Sequence, residues 1–362
     1  MQTCILENIY YFCPVEIYST RLISRSCELP ELSESNFFHS SRLFAMIEHT
    51  DGLQPYMVVV EDSQGNVVAH LLTMLRRRGA WIPPYVFTQG RAYSEGWYAE
   101  EADKEQLFGL MLDAVTKEFH RHLCFYIEFS NLSKKMFGYR HFRRNGFFPV
   151  TWMQIHNSLH SRKPEERLTE KARQIIFGPH HEQLITRQAH TQDEVHAFYK
   201  ILKSYYRFRF QRFIPKETFF QELFESSDAD IFVTLYREHI VGGSAVVYSQ
   251  HNAYIWFEAT RNKRYRQLRP NWMTTWNVIK DCYSNHYQHV FFLNVGLPYK
   301  HNRLREFILN FGDEETTAID EMRNENVEMR NGAWYTVDGV KLSGKPTRKG
   351  LYIFNGKKVV IK

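Results

Sequence analysis

A chain of 362 residues is too long for one ordinary hydrophobic core, which predicts two domains or one duplicated domain. Its hydrophobic fraction of 43% argues against disorder over most of the length. The net charge of +6 favours phosphates and anionic surfaces but is too small for a dedicated nucleic-acid binder. The five cysteines form no Cys-x-x-Cys pair, so neither a disulfide framework nor a zinc site is expected.

The N-terminal segment indicates a cytoplasmic protein. Glu7 interrupts its apolar stretch and no basic residues precede that stretch, so it is unlike a signal peptide. No apolar run approaches the roughly 20 residues that a membrane span needs. We therefore expect a soluble protein in a reducing compartment, without integral membrane contact.

The same order of predicted elements occurs twice along the chain. Each copy has a β-hairpin, a third strand, an amphipathic helix, a strongly apolar strand and a closing helix that ends at glycine. In the first copy these segments are 55–75, 80–90, 103–122, 123–130 and 134–148, and in the second they are 230–250, 253–260, 270–287, 290–296 and 301–312. This repetition predicts a tandem α/β duplication.

The domain boundaries follow from the two copies and from what lies around them. Residues 1–160 and 185–322 are assigned to the copies, and the second copy begins with two further helices. The charged segment 161–184 is predicted to be a linker helix or a domain-spanning segment that breaks at Gly178 and Pro179. Residues 331–362 alternate apolar and polar side chains between turn signals, which predicts a small β-rich appendage.

This order of elements resembles the GNAT-type N-acetyltransferase fold, and two such units in one chain resemble the FemAB-like aminoacyltransferases and their acetyltransferase-like relatives. The resemblance is carried by YYRFRFQRFIPKETFFQEL, HIVGGSAVVYSQHNAYIWFEAT and FFLNVGLPYKHNRLREFILNFG, within residues 193–317. It implies an α/β (α+β) fold class: two tandem GNAT-like domains, each with a mixed central sheet flanked by helices, and a small C-terminal β appendage.

The activity that the resemblance implies is transfer of an acetyl or aminoacyl group from a phosphate-containing donor to an amine. Acetyl-CoA or another acyl-CoA is the implied co-substrate, and a small molecule or a cell-wall or lipid precursor is the implied acceptor. Aminoacyl-tRNA is a less favoured donor, because no heptad run predicts the coiled-coil arm of relatives that handle tRNA. The alternative is a non-catalytic binding protein that has lost its donor site.

A basic turn between the third strand and the helix of the second copy is the predicted donor site. In the GNAT fold this turn holds the donor's pyrophosphate on backbone amides at a helix N-terminus. Here Arg269 and Asn271 replace the small residues of the family pattern, so side chains are expected to grip the phosphates instead. The predicted donor-binding residues are Arg261, Arg264, Arg266, Leu268, Arg269 and Asn271. A solvated basic loop is the alternative.

The matching turn of the first copy is acidic, which would repel a phosphorylated donor. It carries Glu95, Glu100, Glu101 and Asp103. We therefore assign the donor to the second copy and expect the first copy to be structural or to bind the acceptor.

Candidate catalytic residues follow the apolar strands of the second copy. Glu258 is a candidate base, Tyr299 a candidate acid for the leaving group, and Asn294 a candidate substrate contact. The candidate acceptor-binding residues are Arg207, Arg209, Arg212, Lys300 and Arg303. The alternatives are a strand glutamate that faces solvent or pairs with an arginine, and solvated arginines beside core aromatics.

Other functional classes lack a motif. The 17 histidines show no metal-binding spacing, so no metal is expected. There is no nucleophile elbow, P-loop or dinucleotide fingerprint. The C-terminal tail contains Trp334-Tyr335, Asp338-Gly339 and a lysine-rich ending, and in these features it resembles a type IX secretion sorting domain. Export is therefore the minor alternative to a cytoplasmic location.

Overall fold

The computed structural model describes residues 18–79, 86–130, 137–150, 153–160, 162–179, 181–207, 213–293 and 301–312, together with the backbone of five later strands. The chain divides into two compact units, Met1–Phe148 and Pro149–Lys362. Each unit contains a mixed sheet flanked by helices, which confirms the predicted fold class.

The first unit contains one sheet with the order β1-β2-β3-β4-β6, and the short strand β5 also pairs with β3. Only β4 and β6 are parallel among these paired strands. The strands are β1 Ser19–Ile23, β2 Leu53–Glu61, β3 Val67–Gly79, β4 Val86–Tyr93, β5 Trp97–Tyr98 and β6 Cys124–Ser130. The helices are α1 Ser41–His49, α2 Lys104–Arg121 and α3 Tyr139–Arg144.

Helix α2 forms where the sequence predicts it. Asp103 caps its first turn by accepting hydrogen bonds from the backbone N–H groups of Glu105 and Gln106. Its apolar face, which includes Met111 and Phe119, is fully buried against the sheet.

The second unit contains a seven-stranded sheet with the order β13-β7-β12-β11-β10-β9-β8. Only β11 and β12 are parallel among its neighbours. The strands are β7 Met153–Ser158, β8 Leu184–Gln188, β9 Ala229–Tyr236, β10 His239–Ser249, β11 Asn252–Thr260, β12 His289–Phe292 and β13 Glu314–Thr317. The helices are α4 Pro164–Arg167, α5 Glu170–Ile176, α6 Gln192–Tyr206, α7 Glu217–Glu225, α8 Pro270–Ser284 and α9 Arg303–Ile308.

The C-terminal region forms a four-stranded antiparallel sheet with the order β15-β14-β16-β17. Its strands are β14 Trp334–Thr336, β15 Lys341–Leu342, β16 Gly350–Phe354 and β17 Lys357–Ile361. The backbone thus agrees with the β-rich character expected of this region.

Two structural features lie across the predicted domain boundaries. Strand β7 lies before the expected end of the first copy at residue 160, yet it pairs with β12 and β13 in the second sheet. The segment 161–184, expected to be a linker, contributes Leu168, Ala172 and Ile176 to the core that surrounds α8. Both features depend on contacts distant in sequence, which local patterns do not reveal.

No helix within the described ranges combines the length and the apolar character that crossing a bilayer requires.

The place of β7 in the second core predicts a large cost for truncating one of its side chains. Ile155 is 0% exposed, whereas Ile185 on the edge strand β8 is 63% exposed. We expect Ile155→Ala to lower the free energy of unfolding by about 2 to 4 kcal/mol, because it leaves a cavity. Ile185→Ala is the matched control and should cost well under half as much in chemical denaturation. Equal costs would place β7 outside the core.

Two buried histidines lie together in the first unit. The His39 Nδ1 accepts a hydrogen bond of 3.1 Å from the backbone N–H of Leu72, which requires that nitrogen to be unprotonated. Burial, and then the neighbouring His70, lower the pKa of His39 to about 3. Burial lowers the pKa of His70 to about 4, and its ring stacks on Trp97 at 5.2 Å between centroids. Both imidazoles are therefore neutral in the folded protein near pH 7.

These lowered pKa values predict a loss of stability in mild acid. The unfolded chain protonates each histidine near pH 6.5 and the folded chain does not, so stability is full above that pH and falls as the pH drops toward 4 and 3. At pH 5 each histidine should cost about 2 kcal/mol relative to pH 7. His39→Asn keeps an acceptor for Leu72 and should flatten the pH dependence of urea unfolding. The exposed control His286→Asn should not, and an equal slope in all three proteins would contradict the explanation.

Candidate functional site

The candidate site is formed by the end of β11, the basic turn 261–269 and the start of α8. The backbone N–H of Arg261 donates to the carbonyl of Val241 on β10 at 2.8 Å, which fixes the beginning of the turn. Helix α8 then packs its buried side chains, among them Trp272 and Trp276, against the sheet. The turn thus lies at the surface, and both of its ends are held by packed secondary structure.

Backbone donors at the start of α8 are already engaged. Pro270, the first helical residue, has no N–H group. The N–H of Asn271 donates to the Asn262 Oδ1 at 3.3 Å, and the N–H of Trp272 donates to the Arg269 carbonyl at 3.0 Å. A phosphate would therefore find no available donor at the first three positions of the helix, where a helix N-terminus ordinarily binds anions.

Arg269 precedes the helix in a strained conformation. Its φ of 49° and ψ of 56° lie in the left-handed region, which costs a residue with a Cβ atom about 1 to 2 kcal/mol. Glycine would avoid most of this cost. The small residue of the family pattern is thus replaced by an arginine despite an unfavourable backbone.

Side chains replace the backbone as possible anion ligands. A cavity of about 390 Å³ lies over the start of α8. It is lined by Lys171, Asn262, Arg266, Arg269, Asn271 and Trp272. Three of these six residues are cationic and none carries a carboxylate, so the cavity favours an anion.

Lys171 is a cavity residue that the sequence did not suggest. It lies on α5, within the segment predicted to be a linker, and its Nζ lies 6.0 Å from the centroid of the Trp272 ring. The burial of Ala172 and Ile176 on the same helix places α5 against α8. Only the helical period of this short segment could have hinted at that packing.

The predicted donor residues separate into two groups. Arg266, Arg269 and Asn271 line the cavity, whereas Arg261 and Arg264 do not. The guanidinium of Arg264 instead lies 5.7 Å from the centroid of the Tyr265 ring.

Leu268 does not line the cavity either, because its side chain packs against the hydrophobic core. A donor-binding role for these residues remains a prediction.

Glu258 lies near the end of β11 on the side that faces α8. The Thr275 hydroxyl donates a hydrogen bond of 2.9 Å to the Glu258 Oε1, and Glu258 is half-buried. Ser244 stands directly across the strand ladder, and its buried hydroxyl has no hydrogen-bond partner among the described residues. The carboxylate is thus oriented by α8, although its catalytic role is a prediction.

The other predicted catalytic and acceptor residues are mostly not placed. Asn294, Tyr299, Lys300, Arg209 and Arg212 lie outside the described residues. Arg207 is exposed at the end of α6, and Arg303 is exposed at the start of α9. Neither of these two arginines lines the cavity.

The equivalent turn of the first unit is closed around a carboxylate. Glu95 is buried, its Oε2 accepts a hydrogen bond of 2.5 Å from the Ser94 hydroxyl, and its carbonyl accepts one from the Tyr98 hydroxyl. At Gly96, with φ of 107°, an added Cβ would lie 2.6 Å from the His70 carbonyl, so the chain passes tightly over β3. Together with the acidic residues Glu100, Glu101 and Asp103 that follow, this tightly closed turn is unsuitable for a phosphate.

Within the described part of the chain, no cluster of three or more histidine, cysteine or acidic side chains could hold a metal ion.

Part of the chain matches a known protein family. Residues 140–301 match the family model described as an acetyltransferase (GNAT) domain, a range that contains the cavity and Glu258. No curated protein matches the chain.

Two solved structures with TM-scores of 0.55 and 0.50 share the fold at low sequence identity, and a third resembles the chain more weakly. FemX is 11% identical, with a TM-score of 0.55 over 78% of this chain and 90% of its own. L-PGS from Bacillus licheniformis is 11% identical, with a TM-score of 0.50 over 76% of this chain and 84% of its own. A tandem GNAT protein from the clavulanic acid biosynthesis pathway is 10% identical, with a TM-score of 0.48 over 83% and 99%. The likeness to FemX and L-PGS shows a shared fold alone, so the substrates of these proteins are not transferred to this chain.

The strained backbone of Arg269 predicts that replacing this residue raises the stability of the fold and weakens anion binding. Arg269→Gly should raise the free energy of unfolding by up to about 1 kcal/mol and weaken pyrophosphate binding measured by calorimetry. Arg237→Gly is the matched control, because Arg237 has a φ of 46° in the turn between β9 and β10. Arg237→Gly should raise the free energy of unfolding by a similar amount without changing the affinity for pyrophosphate. A loss of stability, or unchanged pyrophosphate binding, in Arg269→Gly would contradict a functional reason for the strain.

Proposed function

We propose that the chain is an N-acyltransferase that binds a phosphate-containing acyl donor on the second unit and transfers the acyl group to an amine. The observation that carries the proposal is the cavity over α8, in which Lys171, Arg266 and Arg269 converge without a carboxylate. The GNAT domain match supports an acyl-CoA as donor in general. The proposed acceptor is a small molecule or a cell-wall or lipid precursor.

The donor's phosphates would be held by side chains in this proposal. Guanidinium groups form paired, charge-assisted hydrogen bonds with phosphate oxygens and tolerate more than one approach direction. The engaged amides of Asn271 and Trp272 argue against a backbone cradle. The acyl group would then extend toward the carboxyl end of β11.

The chemical step needs a base and a leaving group. The amine nitrogen attacks the acyl carbon, the carbon–sulfur bond of a thioester breaks, and the thiolate leaves and takes up the proton that the nitrogen loses. Glu258 would accept the proton of the attacking nitrogen, directly or through water. Its hydrogen bond from Thr275 would hold the carboxylate in one orientation.

A donor series tests the binding site. The wild-type chain should show saturable binding of acetyl-CoA or a longer acyl-CoA, with a rise in melting temperature. Lys171→Ala and Arg266→Ala should each weaken the affinity about tenfold, because each loses a charge-assisted contact. Lys280→Ala, an exposed lysine on the outer side of α8, is the control and should bind like wild type. Affinity that survives loss of both Lys171 and Arg266 would refute the assignment.

A second candidate function is that of a binding protein without catalysis. The engaged backbone amides at α8 favour it, since they depart from the backbone cradle that the GNAT resemblance implies. Saturable donor binding without any acyl transfer to a panel of amines would support this role. Measurable transfer would exclude it.

The base role of Glu258 predicts a specific kinetic loss. Glu258→Gln should lower kcat by about 10² to 10⁴ and leave donor affinity near the wild-type value. Glu238→Gln changes an exposed glutamate in a hairpin turn and should leave both quantities unchanged. A full rate and an unshifted pH profile in Glu258→Gln would remove Glu258 from the mechanism.

A further inference from the structure

Part of the positive charge around the candidate site lies outside the cavity. Four cationic side chains of the second unit are exposed next to the cavity residues in sequence or in space, but they do not line the cavity. They are Arg237 in the turn between β9 and β10, and Arg261, Lys263 and Arg264 in the basic turn. We call these four residues the basic surface. The proposed contacts to the donor's phosphates do not account for it.

Two tyrosines join the hairpin turn to the basic turn. The ring centroids of Tyr236 and Tyr265 lie 5.8 Å apart, and both rings pack against the hydrophobic core of the second unit. The guanidinium of Arg237 lies 5.1 Å from the centroid of the Tyr236 ring, and that of Arg264 lies 5.7 Å from the centroid of the Tyr265 ring. Each guanidinium therefore lies over a partly buried ring, which reduces the rotamer freedom it would lose on binding a partner.

The backbone of both turns is fixed as well. In the basic turn the N–H groups of Arg264 and Tyr265 both donate to the Arg261 carbonyl at 3.1 Å. In the hairpin only Arg237 and Glu238 separate β9 from β10, and their φ values of 46° and 67° are both positive. Such two-residue turns favour asparagine and glycine, so these side chains cost free energy here. Backbone strain of this kind concentrates at functional sites.

The basic surface lacks counter-charges of its own. Among the described residues, none of its four side chains forms an ion pair. Glu238 is the one acidic residue within 237–238 and 261–269, and it stands against the four cations of the basic surface and the cavity residues Arg266 and Arg269. This excess of positive charge over two neighbouring turns favours an extended anionic partner over a small anion.

A phosphate that is attached to a large anionic partner fits both parts of the site. The cavity of about 390 Å³, with Lys171, Arg266 and Arg269, can hold the phosphate. The engaged N–H groups of Asn271 and Trp272 leave no backbone cradle that would select a small donor by its pyrophosphate. A donor that makes further contacts outside the cavity depends less on such a cradle, and the basic surface can supply those contacts.

We propose that the acyl donor is presented by an acidic carrier protein, which holds the acyl group as a thioester on a phosphopantetheine arm. The phosphate of the arm binds in the cavity, and an acidic face of the carrier docks on the basic surface. The amine nitrogen forms a bond to the acyl carbon, the carbon–sulfur bond breaks, and the carrier keeps the sulfur as a thiol with the proton that the amine loses. This inference rests on the proposed function, because it names the partner that brings the donor to the same site.

A protein partner is favoured over a nucleic acid. Base stacking needs free aromatic faces, whereas Tyr236 and Tyr265 pack against the core and lie beneath guanidinium groups. The net charge of +6 over 362 residues is also small for a nucleic-acid binder. RNA binding is therefore the competing outcome of the binding experiment.

Titration of a carrier protein into the full chain tests the basic surface without turnover. A purified bacterial acyl carrier protein is titrated by calorimetry at low and at moderate ionic strength, both with its phosphopantetheine arm and without it. The arm-bearing form should bind saturably, and its affinity should fall as salt rises, because the contacts lie at the surface. Arg237→Gln and Arg264→Gln should each weaken this binding about fivefold. Lys280→Gln, on the outer side of α8, is the matched control and should change nothing.

Two further comparisons separate the basic surface from the cavity. Because Arg237 and Arg264 do not line the cavity, their glutamine variants should bind inorganic pyrophosphate within about twofold of wild type. Arg266→Ala should weaken binding of the arm-bearing carrier about tenfold and affect the carrier without its arm far less, because the arm alone reaches the cavity. Melting temperatures check that each variant folds, and Lys263→Gln replaces any glutamine variant that does not.

The outcomes separate a carrier protein from other donors and from failure of acyl transfer. Absence of saturable binding of the arm-bearing carrier, or binding that Arg237→Gln and Arg264→Gln leave unchanged, overturns the inference. A transfer RNA that binds more tightly than the carrier and loses affinity in the same variants overturns it in favour of a nucleic acid. Binding of acyl-CoA without binding of the carrier refutes the carrier and leaves the proposed function standing. Carrier binding that these variants weaken supports the inference, whether or not turnover is observed.

Discussion

The close packing of α8 against β10 and β11 is the constraint on which the candidate site depends. Gly242 permits it, because an added Cβ would lie 2.5 Å from the Thr260 methyl group and 3.3 Å from the Thr274 hydroxyl of α8. The Thr274 hydroxyl also donates to the Pro270 carbonyl at 2.9 Å and lies 2.6 Å from the Thr234 hydroxyl. This contact sets where α8 begins, and hence where the basic turn and its cavity lie.

The two units show how one topology acquires opposite electrostatics. In both, a turn follows the inner strand of the parallel pair and leads to a long helix. In the first unit the turn buries Glu95, whereas in the second it presents Arg266 and Arg269 to an open cavity. The fold therefore fixes the place of the turn, and its charge decides which ligand can approach it.

Local patterns predicted the hairpins β2–β3 and β9–β10 and the helices α2 and α8, because turn residues and apolar periodicity are short-range signals. They did not place β7 in the second sheet or Lys171 in the cavity. Both positions depend on tertiary packing between segments far apart in sequence. The departure of Arg269 from the family pattern was visible, but its left-handed backbone was not.

A site made of side chains has different consequences from one made of backbone. Backbone amides at a helix N-terminus point along fixed directions, so they select a phosphate by its position. Arginine and lysine side chains from α5 and from the turn can follow an anion over a longer distance, at the cost of losing rotamer freedom when it binds. The backbone strain at Arg269 is a separate cost, because it lowers the stability of the free protein before any anion binds. Under the proposed function, affinity for the donor would therefore depend on several cationic side chains acting together. A site without the backbone cradle would accept a phosphate in more than one position while keeping its preference for negative charge.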